Sequence, residues 1–252
     1  ARFFVGLWDV MNFTRRLILN VLFFGLLLLV LIVFLAAVGK GSGVAPVHER
    51  TTLVIAPEGR LVEQYTTDPL TRAVARALGD TSAEEVQLRD LLRAIEAARD
   101  DKNIERVLLS LDNLQPAGMA ATREVAQALG QLRDSGKQVV AFGEGITQAQ
   151  YLLAAQADEI YLDPMGGLML EGLARYRQYF RTALQDKLGV DMHLFRVGEF
   201  KSAAEPYILD AASPEAKEAD LYWMNDVWQR YLADVAKARK LDAATLSQQI
   251  DQ

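Results

Sequence analysis

Apolar and polar positions alternate along most of the chain in the manner of a parallel α/β fold. Short runs rich in Val, Leu and Ile predict strands at 51–57, 106–112, 138–143, 159–162 and 192–197. Apolar residues at helical spacing predict intervening helices at 84–100, 121–136, 147–157 and 175–189. Such strict alternation implies parallel pairing, helices over the sheet faces and right-handed crossovers. We therefore expect an α/β domain over residues 51–252.

A last, longer helix is predicted from about 213 to 240. Ser213 is the expected N-cap, Pro214 occupies the first helical position, and acidic residues follow in the first turn. One face of this helix is apolar, and we expect it to pack in the core or in an oligomer interface. That face consists of Leu221, Met224, Trp228, Tyr231 and Val235.

The N-terminal pattern differs, because residues 17–39 contain no charge. At about 1.5 Å per residue a helix over this run is about 34 Å long, enough to cross a hydrocarbon core of about 30 Å. A cleavable signal peptide is the alternative, but its apolar region is usually shorter, about 7–15 residues. Arg15 and Arg16 precede the run, which predicts a cytoplasmic segment 1–16 and an exported main domain. Residues 40–50 read as a linker.

Composition narrows the function classes. The chain is 51% hydrophobic with a net charge of -6, which is typical of a globular protein and argues against a nucleic-acid partner. It has no cysteine, which excludes disulfides and thiolate metal sites. His48 and His193 are far apart, each without a nearby His or Cys, so no zinc site and no cofactor are predicted.

Loops after the predicted strands are where a site is expected in a parallel sheet. The loop 113–119 lacks the pattern of a phosphate-binding loop. The loop 143–148, GEGITQ, runs into a helix start that could offer backbone N–H groups to an oxyanion, so Gly143 and Gly145 are candidate substrate-binding or supporting residues. Thr147 is interpreted as an N-cap, and the loop 163–167 offers a glycine pair.

The stretch 194–207, LFRVGEFKSAAEPY, places one lysine among small and apolar neighbours. A lysine acts as a general base only when neutral, which burial or a positive neighbour favours. Lysines are mostly solvated, so the residues alone leave both interpretations of Lys201 open.

This stretch, with SPEAKEADLYW at 213–223 and QAQYLLAAQADEIYLDPMGG at 148–167, resembles the signal peptide peptidase A, or protease IV, family. The resemblance covers most of residues 51–240. It implies a ClpP/crotonase-like α/β spiral fold and a Ser–Lys dyad in which Lys201 is the general base. In the long form of that family two such domains lie in tandem, and the C-terminal one supplies the serine.

The resemblance also has departures. In the family's serine-bearing domain the nucleophile begins a Ser-Gly-Gly-Tyr-like run, and an ungapped count from Ala157-Asp158 places Gln148 at that position, with Ala149 and Gln150 at the glycines. The Gly-Gly of the oxyanion loop is reduced to QPAG at 115–118. The chain therefore resembles the N-terminal half, whose partner serine lies outside it. Ser202, adjacent to the lysine, is expected to support Lys201 rather than act as nucleophile.

These features together predict a membrane-anchored serine peptidase that degrades cleaved signal peptides and other hydrophobic peptides. The resemblance further implies a homotetramer in the bacterial inner membrane, with the main domain periplasmic. A catalytically inactive membrane scaffold or peptide-binding protein of the same fold is the alternative. An acyl-CoA enzyme of the crotonase type is a weaker one, since coenzyme A is not expected outside the cytoplasm.

Overall fold

The computed structural model describes residues 2–39, 47–80 and 84–250, and the chain divides into two units, Ala1–Val47 and His48–Gln252. The first unit contains helix α1, Arg2–Gly39. Its segment Met11–Leu35 has a mean hydropathy of 3.1 and is long and apolar enough to cross a membrane, by length and composition. Of the predicted linker, residues 40–46 lie outside the described residues.

The second unit is built on two parallel sheets. The larger has the strand order β1-β4-β6-β7 and the smaller β3-β2-β5, and every pairing recorded among the described strands is parallel. The strands are β1 (Thr51–Ile55), β2 (Gly59–Val62), β3 (Glu85–Gln87), β4 (Ile104–Ser110), β5 (Leu114–Gln115), β6 (Gln138–Thr147) and β7 (Glu159–Met169). The predicted α/β class with mostly parallel strands is confirmed.

Helices join these strands and form much of the core. They are α2 (Pro69–Ala77), α3 (Leu88–Asp100), α4 (Met119–Asp134), α5 (Gln148–Ala154), α6 (Glu205–Ile208), α7 (Pro214–Arg239) and α8 (Ala243–Ile250). Buried side chains of α3, α4, α5 and α7 meet those of β4 and β6 in one apolar cluster, which includes Ile95, Val107, Leu129, Val139, Leu153 and Val235. The larger sheet and these helices form the core that supports the loops of the candidate site.

Most predicted elements are found within a few residues of their expected bounds. The region 84–100 differs, because strand β3 precedes α3 and pairs with β2. The long C-terminal helix is confirmed with its cap: the Ala216 N–H donates to Ser213 Oγ at 3.1 Å. Its predicted apolar face is buried only in part: Tyr231 and Val235 lie in the core, whereas Leu221 is 55% exposed.

The helix predicted at 175–189 is wrong except for a short π-helix, Thr182–Lys187. The backbone of this segment bonds elsewhere: the Phe180 N–H donates to the Pro206 carbonyl oxygen at 2.6 Å rather than to the preceding turn. Three arginines of the segment reach distant groups, Asp220, Ser202 and Asp210. These long-range contacts favour an extended conformation over the helix that its spacing predicts.

The strand predicted at 192–197 is also wrong. The segment belongs to neither sheet, and Phe195 and Val197 are 96% and 84% exposed. A strand is stabilised by a neighbour that accepts and donates its backbone hydrogen bonds. The described part of this chain supplies no such neighbour to 192–197.

Candidate active site

Lys201 lies in a turn that begins at Gly198. Gly198 has a φ of 95°, which glycine adopts at little cost, and the Lys201 N–H donates to its carbonyl oxygen at 3.4 Å. The Lys201 side chain is exposed, and within residues 47–80 and 84–250 its Nζ has no hydrogen bond or ion pair. The burial that its apolar neighbours led us to consider is therefore not provided by the described part of this chain.

Two arginines hold the lysine loop, which we define as residues 196–205. Arg196 Nη1 donates to the Lys201 carbonyl oxygen at 3.4 Å. Arg177 Nη1, from the opposite segment, lies 3.3 Å from the carbonyl oxygen of Ser202 and 3.5 Å from its hydroxyl. The Ser202 hydroxyl thus contacts Arg177, and a bond from it to Lys201 is not among its hydrogen bonds in the described structure.

Glu205 closes the lysine loop and is completely buried. Its carboxylate accepts hydrogen bonds from the Ser213 hydroxyl at 2.6 Å and from the Ser213 N–H at 3.2 Å. Arg196 Nη1 lies 3.6 Å from the same carboxylate. A buried charge is costly unless it is paired and hydrogen-bonded, and these contacts meet that requirement.

Gln148, at the position that the resemblance assigns to the nucleophile, has its side chain engaged in backbone contacts. Its Oε1 accepts from the N–H groups of Glu171 and Gly172 at 3.1 and 2.9 Å, and its Nε2 donates to the Gly172 carbonyl oxygen at 3.1 Å. The buried Tyr231 hydroxyl of α7 donates to the Gln148 carbonyl oxygen at 3.0 Å, and burial raises the pKa of that phenol. The arrangement is structural, because an amide side chain bonded on both sides has no nucleophilic atom to offer.

Gln150, at a position that the resemblance assigns to glycine, is buried and fully bonded. Its Nε2 donates to the carbonyl oxygens of Leu111 and Leu114 at 2.8 and 2.9 Å. Its Oε1 accepts from the N–H and hydroxyl of Thr147 at 2.8 and 2.9 Å, while Thr147 caps α5 as predicted. The Gln150 side chain thus fills the space between β4, β5 and the start of α5.

The candidate glycines lie in β6 at the point where its pairing with β7 becomes irregular. The register with β7 shifts between Gly143 and Gly145, and the intervening Glu144 N–H donates to Asp112 Oδ1 at 2.7 Å. On β7, a Cβ added to Gly166 would lie 1.5 Å from the Glu144 carbonyl oxygen, so this approach requires glycine. Close strand packing accounts for Gly166, and a substrate role for Gly143 and Gly145 stays a prediction.

A cleft of about 430 Å³ opens beside the QPAG loop. Gly118 of that loop is the N-cap of α4 and makes no side-chain cap. The cleft is lined by Arg60, Leu61, Val62, Glu63, Gln64, Thr66, Ala117, Gly118, Ala120 and Ala121. Its lining combines apolar side chains with the polar side chains of Arg60, Glu63, Gln64 and Thr66, as is common in ligand-binding clefts.

Comparison with known proteins identifies the family to which this lysine loop belongs. The profile of Peptidase family S49 matches residues 131–252, the part that contains both the lysine loop and Gln148. The chain is 40% identical to Protease 4 of Salmonella typhi over 249 residues, and 34% identical to Protease 4 of Haemophilus influenzae over 238 residues.

The chain belongs to the protease IV family. The two alignments cover 98% and 93% of this chain but 40% and 38% of those relatives, so the chain spans about two fifths of their length. Among solved structures, a putative enoyl-CoA hydratase/isomerase from Acinetobacter baumannii is similar at 11% identity and a TM-score of 0.29, over 61% of this chain and 82% of that one. This last likeness is too low to bear on the chemistry.

Three supporting residues of the lysine loop, Glu205, Arg196 and Arg177, are not predicted from the sequence. Glu205 and Arg196 lie in the family stretch but carry no pattern that distinguishes them from surface charges. Arg177 carries no such pattern either, because its partner Ser202 lies 25 residues away along an irregular path.

Proposed function

We propose that this chain is the lysine-bearing part of a membrane-anchored serine peptidase of the Ser–Lys dyad type. The observation that carries the proposal is a contrast. The exposed Lys201 amine has no partner in the described part of the chain and lies on a loop held by two arginines, whereas the Gln148 side chain is fully hydrogen-bonded. The nucleophilic serine then comes from outside this chain, as the length of the relatives allows.

In this mechanism the neutral Lys201 amine removes the proton of a serine hydroxyl as that oxygen attacks the scissile carbonyl carbon. The resulting ammonium donates the proton to the leaving amine as the peptide bond breaks. A water molecule then attacks the acyl-enzyme while the Lys201 amine accepts its proton, and the resulting ammonium donates that proton to the departing serine oxygen, which regenerates both groups. Docking of the serine-bearing domain over the loop supplies the burial that the neutral amine requires.

The expected substrates are hydrophobic peptides, including cleaved signal peptides. Exposed apolar side chains precede Lys201 in the chain: Phe195, Val197 and Phe200 are 96%, 84% and 52% exposed. Exposed apolar groups of this kind favour contact with an apolar peptide or with the domain that completes the site.

We place the peptidase in the bacterial inner membrane, anchored by α1, with residues 1–16 cytoplasmic and the main domain periplasmic. Arg15 and Arg16 beside the apolar run support this orientation. The same family likeness makes a homotetramer the expected assembly.

The test is Lys201→Ala in the protein as it occurs in its membrane, assayed with a fluorogenic hydrophobic peptide. We expect turnover to fall at least about 1,000-fold, within the range that general-base catalysis contributes. Lys102→Ala, which removes another exposed lysine, is the matched control and keeps wild-type activity. Turnover retained in Lys201→Ala overturns the assignment, and peptide binding without any cleavage by the wild type favours the inactive scaffold.

The intact mass of the protein extracted from its membrane separates two arrangements of the serine. A mass well above that of these 252 residues is expected, with the serine domain in the same polypeptide. A mass that matches these residues requires a serine supplied in trans.

A further inference from the structure

A buried carboxylate connects the lysine loop to the core. Glu205 is 0% exposed, and its two oxygens contact Ser213 and Arg196. Ser213 is the N-cap of α7, a helix whose Tyr231 and Val235 are buried in the core. Glu205 therefore fixes the end of the lysine loop relative to the most rigid element nearby.

Arg196 extends this connection to the lysine itself. The same nitrogen, Nη1, lies 3.6 Å from Glu205 Oε1 and 3.4 Å from the Lys201 carbonyl oxygen. Glu205 attracts the Arg196 guanidinium through an ion pair, and the same nitrogen donates a hydrogen bond to the Lys201 carbonyl oxygen, so the position of Glu205 bears on that of the Lys201 peptide group.

Arg177 holds the next peptide group from the other side. It donates to the Ser202 carbonyl oxygen at 3.3 Å, and that oxygen also accepts from the Glu205 N–H at 3.2 Å. Two successive carbonyl groups, those of Lys201 and Ser202, are thus held by separate guanidinium groups. Fixing both carbonyls fixes the backbone from which the Lys201 side chain projects, although that side chain makes no hydrogen bond or ion pair within the described residues.

We propose that Arg196 and Glu205 are positioning residues for Lys201, with Arg177 as the second support. The inference rests on the proposed function, since it needs Lys201 as the general base. Their role is to hold the amine at the place where a serine from outside this chain meets it. An exposed side chain with no direct contacts depends on its backbone for this placement, and a displacement of about 1 Å costs a reaction about 100-fold.

The variants are Arg196→Gln and Glu205→Gln in the full natural protein, with Arg230→Gln as the control. Arg230 is an exposed arginine paired with Asp226 on α7, so the control removes an ion pair away from the lysine loop. At a temperature where each variant is fully folded, we expect kcat to fall roughly 10- to 100-fold in both variants, with KM unchanged. Arg196→Lys, which keeps the charge, recovers part of kcat, whereas Arg230→Gln leaves kcat at the wild-type value.

The possible outcomes test the positioning role and the proposed function separately. If Lys201→Ala is inactive while Arg196→Gln and Glu205→Gln keep wild-type kcat, the positioning role is wrong and the proposed function stands. If Lys201→Ala is active, both fall. A loss of activity that follows a lowered Tm, without recovery in Arg196→Lys, assigns the pair to stability alone. Should Glu205→Gln not fold, Arg177→Gln carries the test, because it removes a support of the loop and leaves the buried carboxylate intact.

Discussion

The lysine loop and the start of α5 differ in how their polar side chains are hydrogen-bonded. At the start of α5, Gln148 and Gln150 use their amide groups to bond neighbouring backbone. In the lysine loop, the supporting residues are bonded while Lys201, the residue they support, is left without a partner in the described structure. A polar group that is fully bonded contributes to stability, whereas one held in place but unpaired is available for chemistry.

The substitution with the largest expected effect is at Lys201, and it distinguishes the two regions by measuring activity and stability in the same variant. Lys201→Ala is expected to remove at least about 1,000-fold of turnover and to change the free energy of unfolding by less than about 0.5 kcal/mol, as for other exposed residues. Peptidase assays and urea unfolding followed by tryptophan fluorescence provide the two values. A large loss of stability in this variant would contradict the comparison.

Gln150→Ala is expected to show the reverse, with a loss of about 3 kcal/mol in the free energy of unfolding. The substitution removes the side-chain donor to the carbonyl oxygens of Leu111 and Leu114, of which Leu111 keeps the Leu114 N–H, and it opens a cavity. Urea unfolding measures the loss. Gln127→Ala, an exposed glutamine of α4, is the control and stays within about 0.5 kcal/mol of the wild type.

Glu85 offers a pH-dependent example of a polar group bonded for stability. The hydrogen bond from the Thr66 hydroxyl, with those from the Thr66 N–H and Arg60, outweighs burial and lowers the pKa of Glu85 to about 2. Because the folded pKa lies below the unfolded value of about 4.5, the stabilisation is complete above pH 4.5 and is lost as the pH falls towards 2. We expect Glu85→Gln to cost about 2 kcal/mol at pH 7 and progressively less below pH 4.5. Unfolding curves at several pH values test this, and a cost independent of pH would contradict it.

Gln148→Ala is expected to have the smallest effect, about 1 to 2 kcal/mol of stability, because its contacts at residues 171–172 are only partly buried. Peptidase turnover should stay within about threefold of the wild type, since the side chain has no role in the proposed chemistry. A loss of turnover comparable with that of Lys201→Ala would place Gln148 in the active site and remove the contrast between the start of α5 and the lysine loop.

Local signals in the sequence predicted the elements whose contacts are themselves local. Ser213 with Pro214, and the apolar spacing of α4, mark helices that the structure contains. The segment 175–182 was predicted wrongly because its arginines and the Phe180 N–H bond to groups 25 to 45 residues away. Periodicity carries no information about partners at that distance.

The residues of the candidate site also differ in how far the sequence predicts them. Lys201 was identified through the family motif, since its neighbours alone do not distinguish a catalytic from a solvated lysine. Its exposure in this chain could not be read from Phe200 and Ala203, because small and apolar neighbours are as compatible with a surface turn as with a pocket. The roles of Arg196 and Arg177 depend on two carbonyl groups, which have no signature in the sequence.

The bonding of Gln150 also has an evolutionary consequence. A serine placed at 148 would meet a helix start still filled by the Gln150 side chain, while a glycine placed first at 150 would remove the side-chain donor to the Leu114 carbonyl oxygen and leave the Leu111 carbonyl oxygen with the Leu114 N–H alone. Either order passes through an intermediate that is inactive or less stable. The pair of residues at 148 and 150 is therefore difficult to exchange by single substitutions, because the helix start depends on both side chains together.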